Sequence, residues 1–244
     1  MPPQQQFSMP RPTRVVVRLL IAIGAIWLLS AIFRNLAESG FVDTLYAYLH
    51  LRPTEVVPGA YVWQIATYSW LHDLNSLGHV LFNCLTLFFL GPTLERRWGG
   101  ANFFRFYLLA GVIAGIVSVL IGIAFGGRWD ASIVGASGAI FGMLAAYSML
   151  YPNMTIMVMF VIPVRARWLI WIAIGIDILM FIANPNGNVA IQTHLGGAFG
   201  GWLLVTGNWR PRIFLPKIKR LFSGGRRPPP RSNLHVIKGG KYLN

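Results

Sequence analysis

The sequence predicts an all-α, polytopic membrane protein built as a six-transmembrane-helix bundle, and three observations carry that expectation. Of the 244 residues, 55% are hydrophobic and only 11% charged, where a soluble domain carries roughly 25% charged residues. Several uninterrupted apolar runs approach 18 to 20 residues, the length that crosses about 30 Å of hydrocarbon. The apolar residues show no period-2 alternation, which rules out a transmembrane β-barrel. Together these features argue against a soluble globular enzyme and against a disordered chain.

Taken in order, the apolar runs between charges and turn residues place helices near 15–33, 78–94, 103–125, 135–150, 155–183 and 191–207. The first run is too long for a secretory signal and lacks a small-residue cleavage site after it, so it reads as a retained span. Arg18 near its start can snorkel to the interface. Residues 34–77 form a long first loop whose stretches VDTLYAYLHL and AYVWQIATYSWLH are aromatic, amphipathic and too short to span. They suit the membrane interface. The second span begins after Gly78 and ends at the charged ERRWGG, and the third and fourth are rich in glycine and alanine. The fifth contains Pro163 as a point of breakage, and the sixth runs from the residues around His194 to Thr206. No internal repeat is evident.

The net charge of +14 is unevenly distributed: residues 208–244 hold ten of the 21 Lys and Arg and no acid. That pattern belongs to a cytoplasmic end beside membrane spans and does not point to nucleic acid. With the N-terminus inside, 18 basic residues fall on the cytoplasmic side and only Arg34, Arg52 and Arg128 fall outside, so both termini are expected in the cytoplasm. The chain then divides into a cytoplasmic segment 1–14, a six-helix domain 15–207 and a basic tail 208–244. The tail, with GGRRPPPRSN at its centre, cannot bury an apolar core and reads as disordered. Its charge suits anionic lipid headgroups, although the simpler reading is that it enforces topology.

Polar groups inside a bilayer are costly, so each is a candidate functional residue. His79 and Asn83 open the second span, Ser137 the fourth and His194 the sixth, all near the outer end of helices that run outside to inside. A rise of 1.5 Å per residue brings the four within roughly 10 Å of one plane. A serine hydroxyl becomes a nucleophile when a base takes its proton, and neutral histidine has a suitable pKa. His79 and Asn83, four apart on one helix face, and the backbone N–H at Ser137 are available as donors to a developing oxyanion. A Ser–His pair with such donors is a complete acyl-transfer site.

These residues also carry a resemblance. HVLFNCLTLFFLGPTLERRWG, with His79, Asn83, Gly91, Glu95 and Gly99 in register, is similar to the second-span signature of the rhomboid intramembrane serine proteases. GASGAIFG, with Gly135, Ser137 and Gly138, looks like the family's nucleophile motif, and HLGGAFGG, with His194, Gly197 and Gly201, resembles its base-bearing sixth span. The resemblance spans roughly 15–207. It implies a Ser137–His194 dyad that cuts transmembrane segments of membrane proteins near the outer face, with His79 and Asn83 stabilising the oxyanion. It implies no cofactor and no metal, and transmembrane protein substrates within the lipid bilayer as partners. Phe141 occupies a place where an aromatic often packs on the catalytic imidazole. The chain departs from the family at Trp63-Gln64, where Trp-Arg is common and the arginine is thought to brace the first loop.

Simpler readings exist for each residue. A serine opening a helix is commonly an N-cap. Gly138, Gly142 and Ala146 recur every four residues, as do Gly197 and Gly201, which is a small-residue packing pattern. The two readings reinforce each other, because close approach of spans four and six is what would join Ser137 to His194. Glu95 reads as a structural anchor for backbone N–H groups or an arginine. Asp177 lies at a depth from which it could approach the pair, yet a polar contact to a neighbouring span or to water is the expectation. His50, His72 and His235 read as solvated. One cysteine, Cys84, excludes an intramolecular disulfide and a thiolate cluster. No HExxH is present for zinc, and only Asp177 stands in a span where an aspartyl protease needs two aspartates. The alternatives are a non-catalytic rhomboid-like protein that binds membrane clients and, less well supported, a small transporter. With no cleavable organelle-targeting signal evident, a bacterial cytoplasmic membrane is the expected location.

Overall fold

The computed structural model describes residues 11–36, 40–158, 161–183 and 190–207; the basic tail, His235 and most of the loop before the last helix lie outside them. Helix α1 (Arg14–Leu36) buries a stripe of Val16, Leu19 and Ile23, spaced as one helical face. Its first backbone N–H groups have no partner within the helix. Glu95, buried at the far end of a later helix, supplies one: it accepts from Thr13 Oγ1 at 2.5 Å, Val15 N at 3.1 Å and Val16 N at 3.0 Å. A carboxylate at this place also complements the positive end of the helix dipole. The anchoring role expected of Glu95 is thus met by backbone N–H groups.

The first loop folds into short helices α2 (Phe41–Leu49), α3 (Pro53–Val56) and α4 (Gln64–Thr67), followed by a 3-10 turn at Tyr68–Trp70. It packs inward as a wedge, with Leu51, Val56 and Tyr68 buried against Val119 and Ile133. An antiparallel bridge between Leu51 and Ile133 ties it to the segment preceding the fourth long helix. Gln64 is fully buried; its Oε1 accepts from Arg52 N at 3.1 Å and its Nε2 donates to Glu55 Oε2 at 2.8 Å. The position that departs from the family pattern therefore braces the loop by another chemistry. Trp63 stacks beside Tyr48 and Tyr61 with ring centroids 4.7 and 4.8 Å away.

Helices α5 (Leu77–Trp98) and α6 (Gly100–Phe125) lead to α7 (Ser137–Leu150), the central helix, most of whose residues are buried. Residues 155–165 depart from expectation. The extended fifth helix is replaced at its start by an antiparallel hairpin, β1 (Thr155–Val158) with β2 (Ile162–Arg165), pairing Met157 with Pro163. The β-branched run Thr-Ile-x-Val…Val-Ile-Pro-Val favours strands, and Pro163 cannot donate within a helix. Helix α8 begins only at Leu169 and runs to Ala183, and α9 spans Ile191–Thr206.

Among the described residues, four helical stretches are long and apolar enough to cross a membrane: α1, α5, α6 and 166–183. The other two of the six expected spans, α7 and α9, have 14 and 16 residues and pack on each other and on α6; α7 is mostly buried, while α9 buries one face and exposes Leu195, Phe199, Trp202 and Leu203. Their backbones touch. A Cβ at Gly197 would overlap the carbonyl of Gly138, and one at Gly201 the carbonyl of Gly142; a Cβ at Gly142 would stand 3.0 Å from Gly197 O and 2.7 Å from Ala110 Cβ on α6.

Two outcomes follow from this packing. Gly197→Val forces α9 off α7 and should cost at least about 3 kcal/mol, read as a large fall in Tm in detergent together with loss of any α7–α9 function. Glu95→Gln keeps the size but weakens the α1 anchor, and should cost about 1–2 kcal/mol in the same measurement.

Candidate active site

Ser137 is the first residue of α7, and the cap position before it belongs to Ala136, with no side-chain cap bond. The hydroxyl is therefore not consumed as an N-cap. It lies 2.8 Å from His194 Nε2, a hydrogen bond between residues 57 positions apart. The ring of Phe141, one turn along α7, stacks on His194 with centroids 4.2 Å apart and planes 7° from parallel, which fixes the imidazole plane. Beside the histidine, Thr193 shares a 2.6 Å hydroxyl–hydroxyl bond with Ser118 of α6, so α9 is fixed in rotation where His194 is carried.

The approach to Ser137 is shaped by Gly135, whose φ of 125° is a conformation side chains rarely adopt. A Cβ there would stand 2.7 Å from His79 Nε2 and 3.7 Å from Ser137 Oγ, so the two groups border one small volume. His79 sits in the first turn of α5, whose start is capped by Ser76 Oγ accepting from His79 N at 3.3 Å. Asn83, one turn further on the same face, is buried, and its Nδ2 has no protein acceptor among the described residues. The Ser137 N–H, as the first of its helix, has no acceptor within α7. All four polar residues named from the sequence therefore belong to elements meeting around the start of α7, while Gly138, Gly197 and Gly201 provide the close approach that joins them.

The contacts of three residues were not legible beforehand. His72, expected to be solvated, is fully buried; its Nε2 accepts the Ala136 N–H at 3.3 Å, and its ring lies 5.3 Å from that of His79. Burial pushes its pKa down to about 3, with His79 nearby adding to the effect, so the ring is neutral and able to accept. The apolar flank Tyr68-Ser69-Trp70-Leu71 was the available signal. Asp177 of α8 makes a polar contact to a neighbouring helix, as expected, but the partner is His194 itself: Oδ2 lies 2.5 Å from Nδ1. His50, also expected to be solvated, is half-buried, with Nε2 3.3 Å from Ser132 Oγ.

A cavity of about 340 Å³ opens beside these residues, bordered by His79, Val134 and Ala190 and by the charged Arg34, Asp43 and Asp73. Of the four polar residues above, His79 alone lines it. Among the described residues no group of three or more His, Cys, Asp or Glu stands in metal-binding geometry.

The fold and these contacts define a multi-pass membrane protein with a serine and a histidine in hydrogen-bonding contact at the meeting point of its inner helices. Residues 59–210 match the family model described as Rhomboid domain, and the chain belongs to the rhomboid family. Over 178 residues it is 34% identical to RHOMBOID-like protein 4 of Arabidopsis thaliana, covering 70% of this chain and 41% of that protein. It is 34% identical over 145 residues to the putative rhomboid protease YdcA of Bacillus subtilis (strain 168), covering 58% and 65% respectively. Over 219 residues it is 29% identical to the rhomboid protease AarA of Providencia stuartii, covering 79% of this chain and 76% of that protein. The chain spans less than half the length of RHOMBOID-like proteins 7, 4 and 1 of Arabidopsis thaliana.

The burial of His72 sets a pH dependence. In the unfolded chain the ring titrates near 6.5, and in the fold near 3. Below about 6.5 the unfolded state therefore binds a proton that the folded state refuses, and stability falls as pH falls from 6.5 toward 3. Thermal melts across that range should show a shallower acid decline in His72→Gln, whose amide oxygen can still accept from Ala136 N.

Proposed function

We propose that this chain is an intramembrane serine endopeptidase that cleaves transmembrane segments of membrane proteins near the outer face. The observation that carries the reading is the 2.8 Å contact between Ser137 Oγ and His194 Nε2, with Phe141 holding the ring. Ser137 Oγ attacks the scissile carbonyl carbon while its proton passes to His194 Nε2. The carbonyl π pair moves to oxygen, and that oxyanion is met by His79, by Asn83 Nδ2 and by the Ser137 N–H. Collapse breaks the C–N bond, and the amine leaves with the proton from Nε2. Water arriving through the polar cavity then repeats the sequence on the acyl-enzyme. The buried, unpartnered Asn83 Nδ2 supports the donor role, because a donor without an acceptor in the resting site is costly unless the reaction supplies one.

In this reading the six helices α1, α5, α6, α7, α8 and α9 are the spans, both termini face the cytoplasm, and the membrane is a bacterial cytoplasmic one. The loop-one wedge and the cavity face outward. A substrate helix must unwind locally before its backbone reaches Ser137, so segments weakened by Gly, Pro or other small residues near their outer ends are preferred.

Purified protein in detergent, incubated with a generic helical membrane substrate, should yield product that both Ser137→Ala and His194→Ala lose by at least about 10³-fold. A fluorophosphonate probe should label the native protein at Ser137. Absence of both cleavage and labelling would favour a non-catalytic client-binding role instead.

A further inference from the structure

The one ionisable group in the apolar stretch of α8 (LIWIAIGIDILMFIA) is Asp177. A carboxylate at that depth is expensive unless paired, and its partner here is the imidazole that faces Ser137. The Asp177 and His194 side chains are only 14% and 15% exposed, so the contact is largely withdrawn from solvent. The imidazole is thus held at three places: Nδ1 by Asp177 at 2.5 Å, Nε2 by Ser137 at 2.8 Å and the ring face by Phe141.

From this geometry we infer that Asp177 is a positioning residue for the reaction, acting through His194 to make a Ser–His–Asp relay in which α8 supplies the third member. Neutral imidazole carries one N–H, and the hydrogen bond at one nitrogen decides where the lone pair lies. An ionised carboxylate accepts only, so it selects the tautomer with the proton on Nδ1 and leaves the Nε2 lone pair aimed at the Ser137 hydroxyl. When Nε2 takes the serine proton, the ring becomes a cation with Asp177 beside it as the counter-charge. Asp177 stays ionised throughout, and no proton passes to it. Asp177 contacts the imidazole and is proposed to act through it, so its effect belongs to the chemical step and not to binding.

The inference rests on the Ser137–His194 reading, and the experiment separates the two. Cleavage kinetics are measured for the native protein, Ser137→Ala, His194→Ala, Asp177→Asn and Asp177→Glu, with Tm recorded for each. Retained cleavage in Ser137→Ala or His194→Ala would sink the dyad itself. With those two dead, the expected result for Asp177→Asn is a kcat lowered about 10²- to 10³-fold at a KM within about 3-fold and a Tm close to native, with partial recovery of kcat in Asp177→Glu. A kcat within about 3-fold of native, or a loss that tracks a fall in Tm and is not restored by Glu, overturns the inference alone. A second readout needs neither turnover nor the Asp177 variants. In ¹⁵N-histidine spectra of Ser137→Ala, which keeps Asp177, the His194 resonances should report the Nδ1–H tautomer. Finding the Nε2–H tautomer there overturns the inference even if Asp177→Asn fails to fold.

Discussion

The backbone of α7 lies directly against the backbone of α9, and the site depends on that contact. Helix pairs separated by ordinary side chains keep axes 8–10 Å apart; glycine facing a carbonyl removes that spacer. Gly138 faces Gly197, Gly142 faces Gly201, and Ala110 and Ala114 of α6 close on the same glycines. A Ser–His hydrogen bond tolerates only a few tenths of an ångström before it weakens. Any side chain at the α7–α9 seam would shift the helices by more than that. The small residues therefore set the distance between two groups that belong to different helices, and the hydroxyl pair Ser118–Thr193 sets the rotation.

The first loop meets a second constraint: backbone withdrawn from water must find partners within the protein. Tyr68 answers it twice, its hydroxyl donating to Gly111 O at 2.8 Å and its carbonyl accepting from Gly135 N at 3.0 Å. His72 supplies the acceptor for Ala136 N. The loop thereby holds both residues that precede Ser137. Gln64 makes the same point about chemistry and position. An amide both accepts and donates, so it can take the Arg52 N–H on one side and give to Glu55 on the other. A guanidinium has donors only and could not make the first of these bonds, so the loop backbone of this chain is matched to glutamine.

Much of this was legible in the sequence, and the failures have physical causes. Five of the six apolar runs start and stop within a few residues of observed helices, because charges, glycines and caps mark those boundaries locally. The hairpin at 155–165 was hidden inside a continuous apolar run, where periodicity cannot separate strand from helix; its β-branched residues and Pro163 were what spoke against the longer helix. Ser137, His194, His79 and Asn83 stood out because a polar residue in an apolar span is conspicuous. His72 did not, since a histidine in a loop is ordinarily on the surface and the apolar flank Tyr68-Ser69-Trp70-Leu71 was the one local sign of a loop that packs inward. The partner of Asp177 was illegible for a different reason. Depth along a helix follows from residue counting, but the rotation of α8 relative to α9 is set by tertiary packing.

That rotation has a mechanical side. The N-terminal half of α8 is fastened by Ile170, Ala173 and Ile174 packing near Phe141, Leu144 and Ala145 of α7. Its C-terminal half exposes Ile176, Ile178, Leu179, Met180 and Ile182, and among its contacts with the described residues are Asp177 on His194 and Phe181 against Trp129 at 5.4 Å. A helix fixed at one end and tethered at the other by a polar pair can swing only by separating that pair. Separation leaves a carboxylate and an imidazole unpaired in an apolar setting, which opposes the swing. If Asp177 orients the base, outward displacement of α8 and loss of the base's orientation are one event, and recovery of the tether restores both. In the proposed reading, a substrate segment that pushed α8 aside would part Asp177 from His194, so outward displacement of α8 and an oriented base would exclude one another.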